Sequence, residues 1–417
     1  MTSFATHEEA SIKPRIRVAY LVSHPIQYQA PLLRRIAEEP DIALTVLFAS
    51  DFSTRGYQDA GFGVGVEWGV PLLDGYDHEF LPHFRDLGRT GIATQINYGI
   101  FSRLRGTAAS PGFDVLWMHG YSTVNAWQGM IWAKALGLPV LLRAESWTMS
   151  QGRSPLLLLL KSLFFKIVGG MVDATLPIGS RNAAYWTHYL GDKTPQFATP
   201  YAVDNAYFQQ RSADAVAGRD ELRKQIDLDP LRPVILFASK LQKRKCCSDL
   251  LAAYGKLCRS LENLPQPYLL IVGDGEEKTS LEAQAAASGL NGIRFCGFRN
   301  QTELPRYFDL ASIFVLPSRQ EPWGLVVNEA MNAGCAILVS DEVGCQPDLV
   351  TPGVEGDVFP AGDQDALADC LREMLRTPET VRRMGKAASM RIEDWNFEAD
   401  VTGLRRALAQ VTGKLEA

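Results

Sequence analysis

No stretch of this sequence reaches the roughly 20 apolar residues needed to span a bilayer. The greasiest segment, Pro155–Val168 (PLLLLLKSLFFKIV), is shorter and is broken by Lys161 and Lys166. Residues 1–14 form a polar lead without an apolar h-region, so no signal peptide is expected. Positive charge is not in excess. The net charge is −5, which argues against a nucleic-acid binder that works by phosphate neutralisation. Cysteine is absent before Cys246. The seven that follow (Cys246, Cys247, Cys258, Cys296, Cys335, Cys345 and Cys370) are odd in number and form no C-x-x-C pair. A disulfide framework is disfavoured, and reduced thiols in a cytoplasmic protein are expected. The histidines all lie in the first half, away from the cysteines, so no mixed zinc cluster is visible.

What is present describes a globular protein: 46% hydrophobic and 21% charged residues over 417 positions, enough chain for two or three domains. Short apolar runs alternate with helical patterns. In the first half the runs are Arg17–Val22, Leu44–Phe48, Val115–Met118, Val140–Leu142 and Ala174–Leu176. In the second they are Val234–Ala238, Tyr268–Val272, Ile293–Phe295, Ile313–Leu316 and Ala336–Ser340. Fully apolar strands separated by helices indicate parallel sheets covered on both faces. The pattern occurs twice, with the polar stretch Gln209–Pro233 between. We therefore expect an α/β protein of two doubly wound, Rossmann-like domains, residues 15–205 and 206–395, facing a central cleft. Residues 396–417 are expected to form a helix packing back on the first domain.

The most informative segment is PSRQEPWGLVVNEAMNAGCAILVSDEVG, Pro317 to Gly344. An apolar strand ends at Pro317, a loop carries Glu321, and a helix follows. Pro322 suits a first helical position and Gly334 a helix exit. The N–H groups of Trp323, Gly324 and Leu325 would then form an anion site with the helix dipole. Eight helical steps put Glu329 about two turns beyond Glu321. One carboxylate is expected at the loop mouth and the other deeper in the cleft, each able to accept from paired hydroxyls.

This segment resembles the E-x7-E motif of the family-4 retaining glycosyltransferases, and the similarity spans Val234 to about Ser340. The resemblance implies the GT-B fold. It implies that Glu321 meets the transferred sugar, Glu329 holds the ribose of the nucleotide, and the helix start receives the diphosphate. FASKLQKRKCC, Phe237 to Cys247, resembles the family's G-R-L-x-x-x-K-G loop. Lys240 and Lys245 stand at the two cationic positions, where they would stabilise charge on a leaving diphosphate. The departures are Ser239 and Cys246 in place of glycines, and Lys240 lacks the bidentate fork of arginine. IVGDG (Ile271–Gly275) and IRFCGF (Ile293–Phe298) resemble family loops, which would put Gly297 and Phe298 near the nucleobase. Their glycines equally suit tight turns.

The first half is less typical. SHPIQYQAPLLRR, Ser23 to Arg35, resembles a subset of bacterial polysaccharide-assembly transferases and would turn His24, Gln27 and Tyr28 to the cleft. DVLWMHGY presents His119 at a strand end, and LLRAESW puts Glu145 where the family commonly has histidine. Arg143 and Glu145 become candidates for contact with acceptor or sugar. PYAVDNAYF, Pro200 to Phe208, resembles the family's N-G-V-D linker with Tyr201 and Ala202 substituted. Asp227-Leu228-Asp229 and Asp363-Gln364-Asp365 look like the D-x-D metal motif of GT-A transferases, but one lies in the linker and the other is placed to cap a helix.

The expected activity is sugar transfer from a UDP- or GDP-linked donor to an acceptor hydroxyl with retention of configuration, in bacterial surface polysaccharide or glycolipid assembly. No metal and no cofactor are implied, the nucleotide sugar being a substrate. A same-face mechanism and double displacement both remain open. The rivals are a nucleotide-sugar epimerase on the same fold and a non-catalytic binding module. For Pro155–Val168 two readings compete. One is a buried core helix. The other is peripheral docking beside a lipid-linked acceptor on the inner face of the cell membrane, with Lys161 and Lys166 reaching headgroups.

Overall fold

The computed structural model describes residues 15–55, 57–58, 65–66, 69–147, 154–261 and 265–414; the polar lead 1–14 lies outside them. Two six-stranded sheets dominate. The first holds β1 (Ile16–Val22), β2 (Ile42–Phe48), β3 (Asp77–Phe80), β4 (Val115–His119), β5 (Val140–Arg143) and β6 (Ala174–Thr175). The second holds β7 (Val234–Ala238), β8 (Tyr268–Val272), β9 (Ile293–Gly297), β10 (Ile313–Leu316), β11 (Ala336–Ser340) and β12 (Gly356–Phe359). Each sheet is parallel throughout, in the orders β3-β2-β1-β4-β5-β6 and β9-β8-β7-β10-β11-β12. The winding reverses beside β1 in one domain and beside β7 in the other. Loops at the carboxyl ends of those strands open a crevice, which is where such sheets take ligands.

The apolar runs become strands because helices cover both faces. Every residue of VILFA in β7 and of AILVS in β11 is buried. Of the helices, α1 (Ala30–Ala37) follows β1, α2 (Pro155–Gly169) follows β5 and α3 (Ser180–Leu190) follows β6. In the second domain α4 (Cys247–Ser260) follows β7 and α5 (Leu325–Asn332) follows β10. The stretch Gln209–Pro233 is not a bare connector, because helices Asn205–Ala215 and Arg219–Gln225 fill much of it.

The last helix, α6 (Phe397–Thr412), is capped by Asn396, whose side chain accepts from Ala399 N at 2.9 Å. It returns to the first domain. Val401, Leu404, Ala407 and Leu408 are buried in the same core as Ile16, Val18 and Tyr20. Ion pairs fasten it there: Arg35 to Glu398 at 2.6 Å, Arg405 to Asp41 at 2.6 Å, and Arg143 to Asp400 at 2.8 Å. The first domain is therefore built from two separate pieces of chain.

α2 is not a core helix. Leu156, Leu157, Leu158, Leu159 and Leu160 are 45–65% exposed, and only Phe165 and Val168 are buried. Lys161 does not reach outward as expected. Its ammonium folds back over the rings of Tyr189 and Tyr185, 4.4 and 4.7 Å from their centroids.

Candidate functional site

A cleft at the carboxyl ends of β7, β8 and β10 holds about 890 Å³ of space, counting its open mouth. Three loops build it. The first, after β7, carries Ser239, Lys240, Arg244 and Lys245 to the wall. It tightens into a single turn over Lys243–Lys245 and enters α4 through Cys246, whose φ of 53° is left-handed. A glycine would serve there without strain, so the expected glycine position is real and cysteine bears its cost. This loop packs directly on the backbone after β8. A Cβ on Gly273 would lie 2.0 Å from the Ser239 carbonyl oxygen, so that glycine serves close backbone approach.

The second loop follows β10 and carries Glu321, which is only 7% exposed. It was expected at the open mouth. Instead the backbone holds it down, with Glu321 N donating to Glu342 O at 3.1 Å and Gly344 N donating to Glu321 O at 2.9 Å. Its carboxylate accepts from Lys245 and, at 3.1 Å, from Arg244; both bonds go to Oε2. Among the described residues no side chain donates to Oε1. Burial pulls the Lys245 ammonium below its ordinary pKa, and Glu321 pulls it back only in part.

The helix after this loop starts later than Pro322 suggests. Gly324 (φ 94°) is its N-cap, and the helix runs from Leu325. The left-handed turn at Gly324 aims the unpaired amides of the first turn at the cleft, which Gly324 and Leu325 line. Trp323 precedes the helix and is not among the residues that line the cleft. Its indole is buried, donates to Asn328 Oδ1 at 3.0 Å and stacks on Trp395 at 5.5 Å. Glu329 also lines the cleft, partly exposed, on the next turns of α5. Removal from water pushes its carboxyl up to about 8, with no other group contributing.

The third loop, after β9, brings Phe298 to the wall with Arg299 and Asn300; Gly297 (φ 70°) forms the turn behind it. Arg244 was not singled out from the sequence. The signal available was its place beside Lys245 in the basic run KRK.

Across the cleft only Gln27 of the expected first-domain residues reaches the same space, and its Oε1 is buried without a partner among the described residues. His24 is bonded to Ser23 Oγ at 2.8 Å and stacked on Phe52, and burial followed by the charge of His119 lowers it to about 4. Tyr28, His119 and Glu145 form a polar cluster behind. Glu145 accepts from Tyr28 at 3.3 Å and from Tyr201, and lies 3.7 Å from His119 Nε2. Burial drives the Glu145 carboxyl upward, but hydrogen bonds from His119 and Tyr201 and the Arg143 charge outweigh it and hold it below the usual range. Tyr201 in turn accepts at its carbonyl from Asn328 of α5 at 3.0 Å, tying the cluster to the donor-side helix.

Arg143 is not a ligand-facing residue. It is 3% exposed, donates to Asp400 and to Thr199 O at 3.3 Å, and belongs to the attachment of α6. The aspartate pairs are also structural. Asp363 accepts from Asp365 N at 3.1 Å and Ala366 N at 2.9 Å as a helix cap, and Asp227 pairs with Arg294 at 3.1 Å.

Residues 218–391, which include all three loops, match the family model described as glycosyl transferases group 1. The match lies within the second domain and covers less than half of the chain. The chain is also similar to curated relatives. It is 30% identical over 182 residues to alpha-D-kanosaminyltransferase of Streptomyces kanamyceticus, covering 43% of this chain and 46% of that one. It is 33% identical over 172 residues to glycogen synthase of Mycobacterium tuberculosis, covering 40% and 41%. These matches thus span less than half the length of either relative. The whole chain shares its fold with solved structures. Sucrose-phosphate synthase from Thermosynechococcus elongatus superposes with a TM-score of 0.68 at 19% identity, covering 96% of this chain and 100% of that one. HepE of Anabaena, in complex with UDP and glucose, gives 0.67 at 16%, covering 95% and 100%. The architecture is the two-domain GT-B fold of glycosyltransferases.

Proposed function

We propose that the protein transfers a sugar from a nucleoside-diphosphate sugar to an acceptor hydroxyl, with retention at the anomeric carbon. The observation that carries the proposal is the convergence of Lys240, Arg244, Lys245 and the start of α5 on one wall of a cleft that also presents Glu321 and Glu329. Positive charge fixed in advance is worth most where negative charge develops, and a departing diphosphate is such a place. The bond from the anomeric carbon to the diphosphate oxygen breaks with its electron pair going to the diphosphate. The acceptor oxygen forms the new bond, and its proton leaves to a phosphate oxygen or to solvent.

In this reading Oε1 of Glu321, left over by the two cations, accepts from a hydroxyl of the transferred sugar. Gln27 Oε1, buried and unpartnered among the described residues, takes a second hydroxyl from the facing domain. Glu329 holds the ribose, and Phe298 flanks the base. Three cations and a helix start supply the compensating charge, so the reaction needs no metal. The acceptor is a glycan hydroxyl, carried on a lipid in the surface-polysaccharide setting.

The test is incubation with a panel of UDP- and GDP-sugars and glycan acceptors in the presence of EDTA, with the product anomer read by NMR. UDP-glucose comes first because the HepE structure holds UDP and glucose. Transfer with the donor's configuration supports the proposal. An inverted anomer, or activity restored only by added manganese, overturns the corresponding part. Inversion of the sugar on donor alone would identify an epimerase.

A further inference from the structure

We infer that the first domain docks on an anionic phospholipid surface through α2 and the adjoining helix Val124–Ala135. The exposed apolar side chains are not scattered. Of the 19 large hydrophobics that are exposed among the described residues, 15 lie between Phe80 and Ile167, all in the first domain. The densest group is α2, where Leu156 to Leu160, Leu163 and Ile167 are each at least 45% exposed. Soluble monomers rarely leave a continuous surface of this kind to water. Among the described residues no helix is long and apolar enough to cross a membrane, so the helix has the character of one lying in an interface.

The surface continues beyond α2. Phe164 meets Trp127 of the neighbouring helix edge to face at 5.4 Å. One turn further along that helix Ile131 and Trp132 are exposed, and Trp132 meets exposed Phe101 at 5.2 Å. A tryptophan at the edge of an apolar patch suits the headgroup level of a bilayer.

Charge identifies what covers this surface. Residues 87–172 contain eight Lys and Arg and two Asp and Glu, of which Arg143 is buried against Asp400 while Arg103 and Lys134 are paired with Glu79 and Asp173. Arg89, Arg105 and Lys166 are exposed on the segments that carry the apolar residues. Two copies pairing through the same face would bring these cations together, which disfavours a symmetric dimer. An anionic lipid surface offers the complementary charge and accepts leucines of any arrangement.

The placement is also directional. α2 runs antiparallel to β5, so its leucine-rich first turns stand at the carboxyl ends of the strands, the end facing the cleft. A bilayer touching α2 would lie beside the opening through which an acceptor enters.

The experiment is co-sedimentation of the full chain with vesicles of phosphatidylcholine alone or with phosphatidylglycerol. The comparison is wild type against Leu157→Glu with Leu160→Glu. Both leucines are more than half exposed, so the variant should keep its thermal midpoint and its UDP affinity. Wild type should sediment with the anionic vesicles and partition at least about tenfold more weakly on neutral vesicles or at high salt. The variant should remain in the supernatant. Wild type left in the supernatant with anionic vesicles overturns the inference, as does a variant that sediments equally well. Equal sedimentation on neutral vesicles overturns its electrostatic part. A wild-type dimer that becomes a monomer in the variant, read by light scattering without lipid, would assign the surface to a second copy instead. None of these outcomes depends on sugar transfer.

Discussion

Lys245 and Glu321 form a buried ion pair that joins the loop after β7 to the loop after β10. The pair fixes the two loops relative to each other, so the carboxylate expected to meet the sugar is oriented by the cation expected to meet the diphosphate. Glu321→Ala should therefore abolish transfer and also destabilise the fold by about 3 kcal/mol, because it strands an ammonium away from water. Chemical denaturation measures the second effect. A double-mutant cycle of Glu321→Gln and Lys245→Met should give a coupling of about 1–3 kcal/mol. Additive single effects would mean that the two side chains do not act together.

Arg244 shares Oε2 of Glu321 and lines the cleft. Its side chain is 46% exposed, so it should add little to stability. Arg244→Ala and Lys240→Ala should each lower kcat by about two decades if both cations face the departing charge. The combined variant should lose less than the product of the two, since one diphosphate is their common partner. Wild-type kcat in Arg244→Ala would remove it from the site.

Glu329 should make stability and nucleotide binding depend on pH in opposite directions. Its carboxyl is raised from 4.5 to about 8 by loss of water. The folded state therefore holds a proton that the unfolded state releases. The neutral carboxyl's contribution is fully present below pH 4.5 and is lost as pH rises to about 8. Wild type should lose stability relative to Glu329→Gln between pH 5 and pH 8, by denaturant titration. A carboxylate that accepts from two ribose hydroxyls must be ionised, so UDP affinity should rise over the same interval in wild type and stay level in the variant. Parallel profiles for the two proteins would contradict both expectations.

Arg143 and Asp400 are 3% and 0% exposed, and one polar atom of each, Arg143 Nε and Asp400 Oδ1, has no partner among the described residues. Asp400→Ala should cost about 3–5 kcal/mol by leaving the guanidinium alone in the core. Arg143→Met with Asp400→Leu should recover most of that loss. A thermal melt that does not distinguish the single from the double variant would argue against the pair as the anchor of α6.

Ten of the twelve strands in the two six-stranded sheets were legible as apolar runs, because strands buried on both faces leave no polar alternation to confuse the reading. The two that were missed, β3 (DHEF) and β12 (GDVF), are the outer strand on one side of each sheet. One edge of such a strand has no neighbour, and its sequence carries charge instead of a run. The loops of the second domain were legible because their backbone demands special residues at fixed spacings. The first-domain residues were not. Whether His119, Glu145 or Arg143 turns toward a ligand or toward Tyr201 and Asp400 depends on partners far away in the chain, among them a helix some 250 residues later. Sequence spacing holds no trace of that. The expected helix start at Pro322 failed for a local reason: a glycine with positive φ ended the loop two residues after that proline.

The return of α6 also bears on the order in which the protein is made. Domains commonly fold as they emerge, the first one first. Here β1 and the underside of its sheet stay uncovered until Val401, Leu404 and Leu408 have been synthesised, by which point every strand of the second sheet is already available. The second domain can close on its own core while the first still waits for its last helix. A chain cut near residue 395 would thus hold every strand and core helix of the second domain beside a first domain with its core open to chaperones.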